Sequence, residues 1–420
     1  MKSIRLEKIS SAPKGKLHIS GSKSISNRVL IMSELSDAEA DISSFPNLSE
    51  ADDTQRLIFY LNQIRSCADQ QLPLIINAEN AGTVMRFLAS YLSVQKGSWL
   101  LTGSERMQKR PIGILVSALQ GLGAHISHSD KTNYPPLHII GGQLAGGELK
   151  MDASVSSQFI TSLMMVAPYT QKGLTIRFDE KPVSFSYIEM TRKLMQNFGA
   201  SVELKDTFVQ VKPSEYKIKS IKIEPDWSSA SYWYELASLA ETSDIFLEGY
   251  TNKSVQGDSC VSEIYKELGV HTIFEPDGIR LTSSGKQTSH FIYDLTDAPD
   301  LVPAVLTSCA AKKIKASITG VEHLKHKESD RMLSLSNELK KTGAILTEKN
   351  KTYHLSFDNN MTISEKLVFE TYKDHRMAMC FAPLAIVYDK ITIKDKDVVE
   401  KSYPAFWDDL KKLNFVRMNS

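Results

Sequence analysis

The stretch at 115–128, LVSALQGLGAHISH, sets apolar residues at helical spacing, breaks at Gly123 and resumes with the alternation of a short strand. Glycine alone enters the left-handed conformation cheaply, so a glycine at this point reads as a helix C-cap with a strand starting directly after it. The same joint returns in MTRKLMQNFGASVEL (190–204), SEIYKELGVHTIF (262–274) and SNELKKTGAILTE (336–348). Gly123, Gly199, Gly269 and Gly343 follow one another at intervals of 76, 70 and 74 residues. One such joint occurs in any α/β protein. Four at near-equal spacing predict a repeated α/β unit of roughly 70 residues, and six units fill the chain, three per domain. Wide apolar stripes on the helices and short strands predict layered α/β packing with helices partly buried.

The bulk composition agrees with a two-domain globular chain: 420 residues, 42% hydrophobic and 24% charged. The 50 basic and 49 acidic residues nearly cancel, so no global field draws the molecule to nucleic acid or to an anionic membrane. Anion binding must come from local clusters. Cys67, Cys260, Cys309 and Cys380 are scattered without metal-ligand spacing, which suits reduced thiols in a cytoplasmic protein. The start, MKSIRLEKIS, lacks a signal-peptide core, and no long apolar run occurs.

Anion-friendly clusters sit at glycine-, serine- and proline-marked joints. GSKSISNR (21–28) places Lys23, Ser24 and Arg28 at the mouth of an apolar helix, although its spacing is not that of a Walker A loop. ENAGTVMRFL (79–88) repeats the theme with Asn80, Gly82 and Thr83 before a helix that contains Arg86. In RMQKRPIG (106–113), Arg110 precedes Pro111 and is biased to an extended backbone. VSSQF (155–159) sets Ser156, Ser157 and Gln158 before another apolar helix, where capping and ligand binding are both open. The second half brings carboxylates beside its cations: Asp297 and Asp300; Lys327, Glu328, Asp330 and Arg331; Asp374 beside His375 and Arg376. Singly, each reads equally as a solvated face. Together they outline sites for multiply anionic small substrates held between domains, with carboxylates available for proton transfer.

The set resembles the 5-enolpyruvylshikimate-3-phosphate synthase family of enolpyruvyl transferases. The matching pieces are GSKSISNR, NAGTVMR, LTGSERMQKRPIG, NYPPL, VSSQF, WSSASY, QGD, PDLVPA, KESDR, DHRMAM and KSYPAFW, in the family's order from residue 21 to residue 407. The resemblance implies an α/β fold of two similar domains, each of three βαβαββ units with buried helices (an inverse α/β barrel), and an active site in the interdomain cleft. It places the domains at 20–225 and at 1–19 with 226–420. It implies transfer of the enolpyruvyl group of phosphoenolpyruvate to the 5-hydroxyl of shikimate 3-phosphate, with release of phosphate, in the shikimate pathway of aromatic amino acid biosynthesis. A cytoplasmic monomer with no metal and no cofactor is implied, and no nucleic acid or membrane partner.

Carried over position by position, the resemblance assigns Ser24, Arg28, Ser156, Ser157, Gln158, Ser184, Tyr187, Asp300 and Lys327 to shikimate 3-phosphate. Lys23, Asn80, Gly82, Arg110, Gln158, Arg331, Arg376 and Lys401 fall to phosphoenolpyruvate. Asp300 is then expected to take the 5-hydroxyl proton, Glu328 to protonate the methylene carbon, and Lys23 to stabilise the departing phosphate. Four positions depart from the family pattern: Ser20 for proline, Glu79 for glycine, Phe87 for proline or leucine, and His323 for asparagine. The sister transferase acting on UDP-N-acetylglucosamine fits less well, because no cysteine lies between Cys67 and Cys260 to serve its mobile loop. An anion- or RNA-binding protein without enzymatic activity would call for a basic face with exposed aromatics, against a net charge of +1.

Overall fold

The structure is a computed structural model that describes residues 2–10, 12–36, 42–66, 73–154, 156–358 and 360–419. The chain divides into two compact units, Met1–Gly21 with Glu224–Ser420, and Ser22–Ile223. The second is an insertion into the first. The strand Lys14–Leu17 pairs in parallel with Asp244–Glu248, so everything from 22 to 223 interrupts the crossover between two neighbouring strands of one sheet.

Five four-stranded sheets form among the described residues, and all share one plan. Two strands pair in parallel across a buried helix; a second helix then leads to an antiparallel hairpin that completes the sheet. In Ser22–Ile223 the plan is carried by Leu74–Asn77, Gly97–Thr102, His125–His128 and Leu137–Gly141. It recurs in Gly147–Met151, Leu174–Phe178, Val202–Lys205 and Phe208–Val211. The discontinuous unit holds three copies, and one of them is cut by the chain ends: Val416–Asn419 pairs with Ile4–Lys8 where other copies have a closed hairpin. No sixth four-stranded sheet appears among the described residues. Instead, extended backbone at 221–223 bonds to Ser44 and Pro46.

The glycines that end the second helices are all left-handed, with φ of 102°, 89°, 94° and 78° at Gly123, Gly199, Gly269 and Gly343. In the fifth copy Asn414 takes the role with φ 53°, after the helix Phe406–Lys412. Asparagine is the residue other than glycine that most often enters this region.

The first helix of each copy is buried on nearly every side, which is why its sequence is apolar or small all round. In Ser22–Ile223 the helices Lys23–Leu35, Gly82–Val94 and Ser157–Val166 pack together at the centre. Serine and threonine let them approach closely: Asn27 donates to Thr83 Oγ1 at 3.0 Å, and Ser90 to Ser162 Oγ at 3.0 Å. In the discontinuous unit Trp227–Leu239, Val302–Ala311 and His375–Phe381 form the corresponding buried layer. No helix among the described residues is long and apolar enough to cross a membrane. Cys260, Cys309 and Cys380 are free thiols; Cys67 lies outside the described residues, as does Val155 of the VSSQF stretch.

Candidate active site

Several of the candidate residues stand at the N-termini of buried helices, where unsatisfied backbone N–H groups and the positive dipole end favour anions. The two units treat these ends differently. In Ser22–Ile223 the caps are Ser22, Ala81 and Ser156, and no acidic residue stands in any of the three first turns. In the other unit Asp226 and Asp374 cap two of the helices, and Asp300 lies in the turn leading into Val302. The caps are thus neutral in the first unit and carboxylate-bearing in the second.

In Ser22–Ile223, Arg28 is 1% exposed. Its Nε donates to Thr191 Oγ1 at 2.7 Å, Nη1 to the Ser24 carbonyl at 2.8 Å and Nη2 to Thr161 Oγ1 at 3.4 Å. The guanidinium also lies over the rings of Phe87 and Tyr187. Every one of these partners is neutral, and burial lowers the Arg28 pKa to about 10, which still leaves it charged at neutral pH. Among the described residues no carboxylate hydrogen-bonds this buried cation, which suits it to an anionic ligand. Phe87 supplies one of those ring faces. Lys23 behaves differently, because its Nζ is 2.9 Å from Asp53 Oδ2 and Asp53 is buried. Sequence reading missed Asp53, which looks like an ordinary acidic residue in the first turn of the helix Asp52–Ser66.

Gly82 opens its helix with bare backbone, and two guanidiniums crowd the space a side chain would fill. A Cβ there would sit 2.4 Å from Arg86 Nη1 and 3.2 Å from each Nη of Arg110. Arg110 is held extended (φ −94°, ψ 124°) as Pro111 requires, and the next two amides, Ile112 and Gly113, both donate to the Asn133 carbonyl. Glu79 adopts φ 46°, a left-handed geometry that favours glycine. Its carboxylate accepts from Asn77 Nδ2 at 2.7 Å, and its backbone N–H returns to Asn77 Oδ1 at 2.9 Å. Asn80 follows directly in the turn before Ala81. Ser156 caps its helix by accepting from the Gln158 N–H, Ser157 is buried in the first turn, and Gln158 Oε1 accepts from Arg86 Nη1 at 3.0 Å. Ser184 is buried in the left-handed region (φ 54°) before the helix Phe185–Asn197, which carries Tyr187.

In the discontinuous unit the candidates form one ionic network. Arg331, 2% exposed, bonds three carboxylates at 2.9 Å each: Asp300 through Nη1, Glu328 through Nη2 and Asp374 through Nε. Arg376 Nη2 donates to Asp300 Oδ2 at 2.6 Å and its Nη1 to the Tyr232 hydroxyl at 3.3 Å. Lys401 Nζ reaches Glu328 Oε1 at 2.9 Å. Lys327 stands beside this network, half-buried, as a source of positive charge at Asp300. Burial alone would raise the Asp300 pKa, but the charges of Arg376, Lys327 and Arg331 outweigh it and hold the carboxyl well below the usual range. Asp258, of the QGD stretch, is pushed up to about 7 by its own burial and by the Asp300 charge, while Ser228 donates to its Oδ2. Burial and the charge of Lys327 bring His323 down to about 4, so it is neutral at physiological pH. Sequence reading gave no role to Asp258 or Arg86, although both lie inside quoted motifs.

A family model described as EPSP synthase (3-phosphoshikimate 1-carboxyvinyltransferase) matches residues 8–410. The chain belongs to the EPSP synthase family. A 3-phosphoshikimate 1-carboxyvinyltransferase of Bacteroides fragilis is 43% identical over 404 residues, 96% of each chain, and one of Marinomonas sp. is 33% identical over 97% of this chain and 98% of its own length. Among solved structures, EPSP synthase from Acinetobacter baumannii superposes over the full length of both chains with a TM-score of 0.77 at 21% identity, which shows the same fold. The mixed α/β architecture with buried helices is therefore that of EPSP synthases.

Proposed function

We propose that this chain is a 3-phosphoshikimate 1-carboxyvinyltransferase, a cytoplasmic monomer that takes phosphoenolpyruvate and shikimate 3-phosphate as substrates. The single observation that carries the reading beyond family membership is Arg28, a buried guanidinium whose hydrogen-bond partners among the described residues are neutral oxygens, in the second turn of a helix capped by Ser22. In the reaction the 5-hydroxyl oxygen bonds to C2 of phosphoenolpyruvate while a proton is added at C3. The C2–O bond to phosphate then breaks as a C3 proton leaves, giving the enol ether and inorganic phosphate. Arg28, Ser24, Ser156, Ser157, Ser184, Tyr187 and Lys327 hold the acceptor; Gly82, Asn80, Arg110, Arg331, Arg376 and Lys401 hold the donor, and Gln158 serves both. Arginine forks suit the donor, which brings carboxylate and phosphate together.

Asp300 accepts the hydroxyl proton and Glu328 exchanges the proton at C3, with Lys23 toward the leaving phosphate. Ion pairing makes Asp300 a weak base without ligand, since Arg331 and Arg376 both hold it. Substrate anions compete for the same guanidiniums, and as they engage them the carboxylate regains basicity. The test is phosphate release from the purified protein with each substrate omitted in turn. Release that requires both substrates, and that falls by about 100-fold or more in Glu328→Gln, supports the reading. Release that does not require shikimate 3-phosphate sinks the function, and wild-type turnover in Glu328→Gln sinks the role of Glu328.

A further inference from the structure

Arg86 is 6% exposed, lies over the Phe159 ring at 5.4 Å and donates from Nη1 to Gln158 Oε1 at 3.0 Å. Arginine carries donors and no acceptor, so whichever end of the Gln158 amide meets it must be the carbonyl. That settles an orientation that side-chain amides otherwise leave open. The carbonyl is turned onto Arg86, so the two N–H donors sit on the other arm of the amide, directed away from that guanidinium. The Gln158 backbone is fixed as well, since its N–H donates to the Ser156 Oγ cap. Gly82 makes the arrangement possible, because any Cβ there would occupy the space of Arg86 Nη1.

We propose that Arg86 is a positioning residue for the transfer reaction, holding the Gln158 amide so that its N–H groups rather than its carbonyl face the anionic substrate. An amide free to turn over would present a carbonyl oxygen to a phosphate or carboxylate for part of the time, replacing attraction by repulsion. The inference rests on the function proposed above, in which Gln158 touches substrate and Arg86 acts through it.

The experiment is a double-mutant cycle of Arg86→Met and Gln158→Met, with Arg86→Lys added, read by initial rates of phosphate release against phosphoenolpyruvate and by thermal melting. Arg86→Met is expected to lower kcat/KM by about 10- to 150-fold in the parent chain, the value of one charge-assisted hydrogen bond. In the Gln158→Met background it is expected to cost under about 3-fold, because the amide it served is gone. Arg86→Lys, still a donor to Oε1, should recover part of the loss, with the melting temperature unmoved. Equal losses in both backgrounds, or a loss that follows the melting temperature, would overturn the proposal. Should the parent chain not turn over, the reading of function falls. The orientation is then decided by the side-chain amide 15N–1H signals of Gln158, identified by their loss in Gln158→Met. Signals displaced in Arg86→Met and restored in Arg86→Lys support the proposal; unmoved signals overturn it.

Discussion

Replacing Gly82 with alanine should separate folding from substrate binding. The backbone at Gly82 is not left-handed, so alanine meets no conformational penalty there. Alanine is the better helix former, by at most about 1 kcal/mol in a helix interior and less at a first turn. The cost falls on side chains. At 2.4 Å from the new methyl, Arg86 Nη1 must withdraw, and Arg110, at 3.2 Å from it by both Nη atoms, is crowded. A guanidinium at the end of a flexible chain moves readily, but Arg86 cannot move by roughly 1 Å and keep its 3.0 Å bond to Gln158. One charge-assisted hydrogen bond is worth about 1.5–3 kcal/mol, so KM for phosphoenolpyruvate should rise roughly 10- to 150-fold. The melting temperature should stay level or rise slightly. Initial rates with varied phosphoenolpyruvate at saturating shikimate 3-phosphate, beside a thermal melt, check both halves. A KM change under about 3-fold, or a melting temperature lowered by more than about 5 °C, would show that the backbone rather than the guanidiniums gives way.

Other outcomes follow from the buried charges. Glu235 is fully buried, neither of its oxygens finds a hydrogen-bond partner among the described residues, and burial holds its carboxyl well above its ordinary value of 4.5. The native state thus keeps a proton that the unfolded chain releases above 4.5, and stability falls by about 1.4 kcal/mol per pH unit from there up to the raised folded-state pKa. Glu235→Gln should match the parent chain in melting temperature near pH 5 and exceed it at pH 7.5; a constant gap across that range would contradict the reasoning. Arg331→Met leaves three carboxylates short of a cation and should cost about 3–5 kcal/mol in denaturant unfolding. Arg331→Lys should recover little, since one ammonium cannot span Asp300, Glu328 and Asp374; near-parental stability of the lysine variant would refute this. With Asp258 pushed up to about 7, its ionised form adds negative charge beside Arg376, where it competes with the anionic donor. The parent kcat/KM should therefore fall as pH rises through 7, a limb that Asp258→Asn should remove in a pH–rate profile.

The repeat was legible because four of its helices end in glycine, a residue whose left-handed φ has few substitutes. The fifth copy escaped the same reading because Asn414 holds that position, and the counterpart after Asp52–Ser66 lies outside the described residues. The insertion of 22–223 into a single crossover has no local signal, since pairing of Lys14–Leu17 with Asp244–Glu248 is a contact across more than 200 residues. At the site, positions marked by glycine, serine or proline at helix starts could be singled out from sequence, and so could the carboxylates Asp300, Glu328 and Asp374. Two other acids could not. Asp53 and Asp258 are lone acids in polar contexts, indistinguishable from solvated charge until folding buries them beside Lys23 and Asp300. Arg86 stood in a quoted motif, yet its bond to Gln158 joins two helices 72 positions apart.

The most direct test of the central claim is the identity of the product. Phosphoenolpyruvate labelled with 13C at C2, incubated with the protein and shikimate 3-phosphate, can be followed by NMR as inorganic phosphate appears. The account predicts that the labelled carbon becomes an enol ether that retains its methylene group, one for each phosphate released. Labelled pyruvate in its place, or an unchanged donor signal, would contradict it.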